Sequence, residues 1–71
     1  MKPGDQVVLV RDDESAADYK LRIGDIGLVL AIEENGSLID VDWRFPIVTT
    51  PDGQVRTSCY VGPDEIVVAA R

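Results

Sequence analysis

Apolar and polar positions along this chain alternate over short runs separated by turn residues, and no segment builds a convincing helical face. Met1-Lys2-Pro3-Gly4-Asp5 forms a turn, and Gln6 to Arg11 then reads as a strand rich in β-branched residues. Residues 12–23, DDESAADYKLRI, carry four acids and little alternation, which predicts an exposed loop with room for one helical turn. After Gly24-Asp25, Ile26 to Ile32 makes a second strand. Asn35-Gly36 then predicts a type I′ hairpin, because both residues accept the positive φ that this turn demands. In the third strand, Leu38 to Arg44, Ile39, Val41 and Trp43 fall on one face and Asp40, Asp42 and Arg44 on the other. The apolar face is the core face.

Phe45-Pro46 bends the chain, since proline cannot donate to a ladder, and Ile47 to Thr50 leads to a second hairpin turn at Pro51-Asp52-Gly53. Gln54 to Val61 returns as one strand, Gly62 to Glu65 reads as a short 3₁₀ turn, and Ile66 to Ala69 closes the chain. Five or six short antiparallel strands, a long first loop and a tight hairpin predict an all-β domain spanning residues 1–71, a small, partly open barrel of the SH3-like kind. The competing OB-type barrel wants a helix after its third strand, and residues 45–51 supply none.

Gly4-Asp5-Gln6-Val7-Val8-Leu9-Val10, the "L-x-x-GD-x-G-x-V" element at Leu21, Gly24, Asp25, Gly27 and Val29, the "V-x-W" of Val41-Asp42-Trp43, and Pro63-Asp64-Glu65-Ile66 together resemble small bacterial SH3-like domains of unknown function. The pattern also resembles KOW-type, Mind bomb-type and photosystem I subunit IV barrels. The resemblance covers most of the chain and implies the SH3-like fold. KOW-type kinship implies contact with ribosome, polymerase or RNA, and the photosynthetic and thioredoxin-reductase barrels imply docking of a redox partner such as ferredoxin.

Charge narrows those implications. Seven basic residues against thirteen acidic ones leave a net charge of -6, and nucleic-acid affinity rests on cations that neutralise phosphates. Direct nucleic-acid binding is not expected, and ferredoxin, itself acidic, suits a basic docking face better than this one. An acidic surface serves solubility or steers the protein toward a basic partner. With 45% hydrophobic residues, mostly Val, Ile and Leu, the chain is too apolar to stay disordered.

Catalytic and metal chemistry finds little material. There is no His, and Cys59 is the only cysteine, so an internal disulfide and the usual zinc sites cannot form within one chain. Cys59 lies mid-strand with no neighbouring cations to lower its pKa and reads as a packed core residue. Gly24-Asp25-Ile26-Gly27 lacks the spacing and the following helix of a phosphate loop. Asp40 and Asp42 share a face but lack a calcium loop's glycine and closing Glu, so a solvated polar face is the plainer reading. No enzyme activity, metal or cofactor is expected. The apolar run before Arg11 is too short for a signal peptide or a membrane span, which fits a cytoplasmic protein without membrane attachment.

Two candidate surfaces remain. One joins the acidic loop residues Asp12, Asp13 and Glu14 to Tyr19, Arg44, Phe45 and Tyr60, with Tyr and Phe as the contact aromatics. The other is an excess of apolar residues facing away from the core. If Val7, Leu9, Val29 and Ala31 point inward, then Val8, Val10, Leu28, Leu30 and Ile32 point outward. Either the chain's own ends cover that face, or it meets a second copy or another protein. The leading expectation is a non-enzymatic protein-binding module of the adaptor, inhibitor or immunity type, bacterial or phage-encoded. The alternatives are a small-molecule or nucleotide-sequestering homodimer with a pocket at its interface, and a structural subunit of a larger complex.

Overall fold

In a computed structural model of the chain, which describes residues 1–11 and 19–69, seven strands form two antiparallel sheets. They are β1 (Gln6–Leu9), β2 (Ile26–Glu33), β3 (Leu38–Asp42), β4 (Val48–Thr49), β5 (Val55–Arg56), β6 (Ser58–Val61) and β7 (Ile66–Val68). Five of them make one sheet in the order β6-β3-β2-β1-β7, and β4 pairs with β5 alone. The first and last strands are therefore neighbours, with Val7, Val8 and Leu9 opposite Val68, Val67 and Ile66. Beyond them the sheet stays open, because β6 and β7 do not pair. The all-β, partly open architecture expected from the sequence is present.

One face of the large sheet buries the core. Val7, Leu9, Val29, Ile39, Val41, Val61 and Ile66 alternate inward, with Trp43, Ile47, Leu21 and Cys59 completing the cluster. Burying each such aliphatic side chain contributes about 1.5–3 kcal/mol. Trp43 is the largest of them and sits over β2 at Gly27. A Cβ built on Gly27 would collide with Val41 Cγ1 and lie 2.9 Å from Trp43 Cε3. The space a side chain would need at Gly27 is filled by the Val41 methyl and the edge of the indole.

The structure departs from the sequence expectations at several places. The first is β2, where the register with β3 shifts between Val29 and Ala31: Val29 faces Val41, Ala31 faces Asp40, and Leu30 is the extra residue. This bulge inverts the alternation beyond it. Ala31 shares the outer face with Asp40, while Ile32 lies opposite Ile39 and packs against the core. Ile32 therefore does not belong to the outward set.

The second departure is at Thr57, where the single strand expected from Gln54 to Val61 divides in two. Arg56 O accepts from Ile47 N–H at 2.9 Å on one edge, and Thr57 O accepts from Trp43 N–H at 2.8 Å on the other. The chain exchanges β4 for β3 as its partner at that residue, which makes seven strands rather than five or six. Third, the Asn-Gly turn does join β2 to β3, but as a 3₁₀ turn over Glu34–Gly36 with positive φ at all three residues, closed by Ser37 N–H donating to Glu34 O at 3.1 Å. Finally, residues 62–65 form a plain turn, not 3₁₀. It is held by Glu65 N–H to Gly62 O at 3.1 Å and Gly62 N–H to Glu65 Oε2 at 3.2 Å.

The bend after β3 begins one residue earlier than the Phe45-Pro46 pair. Arg44 adopts a left-handed φ of 64°, steadied by its N–H donating to Asp42 Oδ1 at 2.9 Å. The Pro51-Asp52-Gly53 hairpin forms as expected, with Gly53 at φ 89° and Thr50 N–H bonded to Gln54 O at 2.8 Å.

Gly27→Ala is expected to lower unfolding free energy by about 1–3 kcal/mol, the usual cost of overpacking a core. Urea denaturation measures this. An unchanged midpoint would show that Trp43 does not rest on Gly27.

Candidate functional site

The outer face of the five-stranded sheet is built from the residues that alternate with the core. Cross-strand pairing places Ile26 beside Val8 and Val8 beside Val67, an apolar row running across β2, β1 and β7. Val8 is half-buried, whereas Ile26 and Val67 are 56% and 48% exposed. The next row along is Gln6, Leu28 and Asp42, and it continues to Ser58 of β6. Leu30, pushed out by the bulge, and Val10, just past β1, extend the apolar area.

Toward β3 and β6 the same face turns acidic. Asp40 pairs with Tyr60, and Glu33 lies opposite Leu38 at the end of β2. Partial burial raises the Asp40 carboxyl above its ordinary range, and the negative charges of Glu33 and Asp42 raise it further. Tyr60 hydrogen-bonds through its phenol to Glu33, and that bond, with the charge of Glu33, lifts the phenol above its ordinary value. The outer face thus has an apolar half on β2, β1 and β7 and an anionic half made by Asp40 and Asp42 of β3 and Glu33 at the end of β2, beside Ser58 and Tyr60 of β6.

Of the first candidate surface, Tyr19 and Tyr60 come together. Both line a cleft of about 240 Å³ with Asp40, Arg56, Ser58 and Cys59. Tyr19 is half-buried against the core and Tyr60 is exposed. Arg44 and Phe45 lie in the bend after β3 and do not line this cleft; Arg44 is exposed and Phe45 packs partly against the core. Asp12, Asp13 and Glu14 lie outside the described residues.

Of the outward apolar set, Val8, Val10, Leu28 and Leu30 are half-buried or exposed, and Ile32 turns inward. Sequence reasoning missed Ile26 and Val67, which complete the row. Their signal was the inward position of Val7 and Ile66, since each missing residue neighbours or pairs with one of known phase, but only strand pairing shows that they meet.

Cys59 is buried, and burial pushes its thiol up. A thiol held protonated is a poor nucleophile. The Trp43 indole N–H has no hydrogen-bond partner among the described residues. Asp40 and Asp42 share the outer face, but no group of three or more His, Cys, Asp or Glu side chains among the described residues is arranged to hold a metal ion. Nor is any helix among them long and apolar enough to cross a membrane.

No protein-family model, curated protein or solved structure matches this chain.

Because the folded state raises the Asp40 pKa, its ionised form costs stability. That cost is absent below the ordinary value of 3.8 and grows as pH rises through the raised one. Asp40→Asn is therefore expected to raise the urea midpoint at pH 7, with the difference shrinking to nothing in acid. A difference independent of pH would contradict the assignment.

Proposed function

We propose that this chain is a non-enzymatic protein-binding module of the adaptor or inhibitor type, and that another protein docks on the outer face of its sheet. The observation that carries this reading is the row Ile26, Val8 and Val67, continuous with the anionic patch of Asp42, Asp40 and Glu33. Apolar side chains in direct cross-strand contact on an exposed face are a costly arrangement for a domain with no use for them. The acids beside them favour a partner that offers an apolar centre and a basic flank.

A second copy suits this face less well. An isologous interface brings like patches of both copies to one surface, and a chain of net charge -6 meets its own repulsion there. A small-molecule reading draws on one observation: a hollow of about 300 Å³ lined by Gly4, Asp5, Gln6, Leu28, Val68 and Ala69 at the end of the same face. That volume is at the lower limit for a ligand pocket, and a partner subunit would have to close it.

The test pairs the parent protein with the double variant Ile26→Ser/Val67→Ser. Both positions are exposed, so each change is expected to alter stability by less than about 0.5 kcal/mol. Peptide or domain ligands selected by display against the parent should lose about tenfold or more in affinity for the variant, since central apolar anchors dominate interface energy. Ligands that bind both proteins equally would exclude the outer apolar row as the docking surface. Stabilisation by nucleotides or other metabolites in a thermal-shift screen would favour the small-molecule reading.

A further inference from the structure

The partner exchange at Thr57 leaves a specific gap in the sheet. The segment from Val55 to Val61 is paired along one edge by β4 as far as Arg56, and along the opposite edge by β3 from Thr57 onward. Antiparallel ladders alternate between hydrogen-bonded and non-bonded pairs. Trp43 N–H donates to Thr57 O, so Cys59 and Val61 bond to β3, and the N–H and C=O groups of Ser58 and Tyr60 point the other way. No strand among the described residues pairs with that edge of β6.

The unpaired edge lies on the side of the segment where β4 pairs and stops. Past it the chain offers the 240 Å³ cleft, lined by Tyr19, Asp40, Arg56, Ser58, Cys59 and Tyr60. Tyr19 is positioned there because Lys20 N–H is tied to Ile47 O at 2.9 Å, just ahead of β4. The cleft is thus flanked by a free strand edge and an aromatic ring, with a second ring, Tyr60, exposed beside it.

The geometry points to strand addition: the Ser58–Tyr60 edge receives an extended, basic segment of a partner protein, which continues the pairing that β4 abandons and seats alternate side chains in the Tyr19–Tyr60 cleft. Main-chain hydrogen bonds supply affinity in such an arrangement and side-chain pockets supply selectivity. The preference for a basic segment comes from Asp40, which lines the cleft, with Asp42 next to it on β3 and Glu33 bonded to Tyr60, set against Arg56, the one cation lining the cleft among the described residues. A second copy of this chain, joined edge to edge, would bring two such anionic groups toward each other. This surface adds to the outer apolar face and does not depend on it.

The probe is a synthetic seven-residue peptide of alternating Lys and Val, compared with its Glu–Val counterpart and with a Lys–Val peptide N-methylated at every residue, which can donate a main-chain hydrogen bond from neither edge. The Lys–Val peptide is expected to bind and to slow amide hydrogen exchange at Ser58 and Tyr60. Both control peptides should bind about tenfold or more weakly, and high salt should weaken the Lys–Val complex, because the acids are partly exposed and screened. Tyr60→Pro removes an N–H that takes no part in the ladder to β3, so a variant with unchanged circular dichroism should lose the peptide.

Equal binding of the N-methylated peptide would overturn strand addition. Equal binding of the Glu–Val peptide would overturn the basic preference. Protection at Val8 and Ile26 in place of Ser58 and Tyr60, pairing of two copies through β6, or no binding of the Lys–Val peptide would each overturn the proposal.

Discussion

Trp43 and Val41 pack into the space left by the missing side chain of Gly27, and the core is built around that close approach. A domain of this size has one core, and a Trp supplies the largest apolar surface available to it. To lie across β2, which is beside β3 in the same sheet, the ring needs a position without a Cβ, and Gly27 supplies it. Removing a buried Trp side chain costs about 3–5 kcal/mol. A single core in a chain this short supplies about as much in total.

The same contact decides what is left outside. Because the core takes Val7, Leu9, Val29, Val41 and Ile66 from one face of the sheet, Val8, Ile26, Leu28 and Val67 face away. No second layer covers them among the described residues; the small β4–β5 sheet leaves Ile26 and Val67 exposed and packs Val48 against the core. The outer face then combines two features that stability alone does not select: exposed apolar neighbours, and a carboxyl, Asp40, raised by burial and by the charges of Glu33 and Asp42. Local costs of this kind concentrate where a surface is used. The anionic half adjoins the β6 edge that no strand among the described residues pairs with, so a partner that reaches both meets charge, that edge and a ring within one region.

Much of the fold was legible because alternation was clean where the sheet is regular. Ile39, Val41 and Trp43 declared the core face of β3, and Asn35-Gly36 announced the pairing of β2 with β3. The limits were equally physical. Nothing in Val29-Leu30-Ala31-Ile32 reveals that Leu30 is an extra residue, so Ile32 was assigned outward and Ala31 inward until the register was known. Thr57 carries no mark of a change of partner, since both halves of Gln54 to Val61 have the composition of a strand. For the site, Tyr19 and Tyr60 were recognised as aromatic contacts, yet their meeting at one cleft, and the bond from Tyr60 to Glu33, depend on residues far apart in the chain. Phe45 was read as a contact residue on chemistry alone, and its partial packing against the core was not visible.

If the outer face receives a different protein, as we propose, it is not the seam of a homodimer. Light scattering over a wide concentration series decides this. A 7.8 kDa particle is expected at every concentration, at low and physiological salt alike. A particle of twice that mass, stable on dilution and lost in the Ile26→Ser/Val67→Ser variant, would contradict it and assign the face to a second copy of the chain.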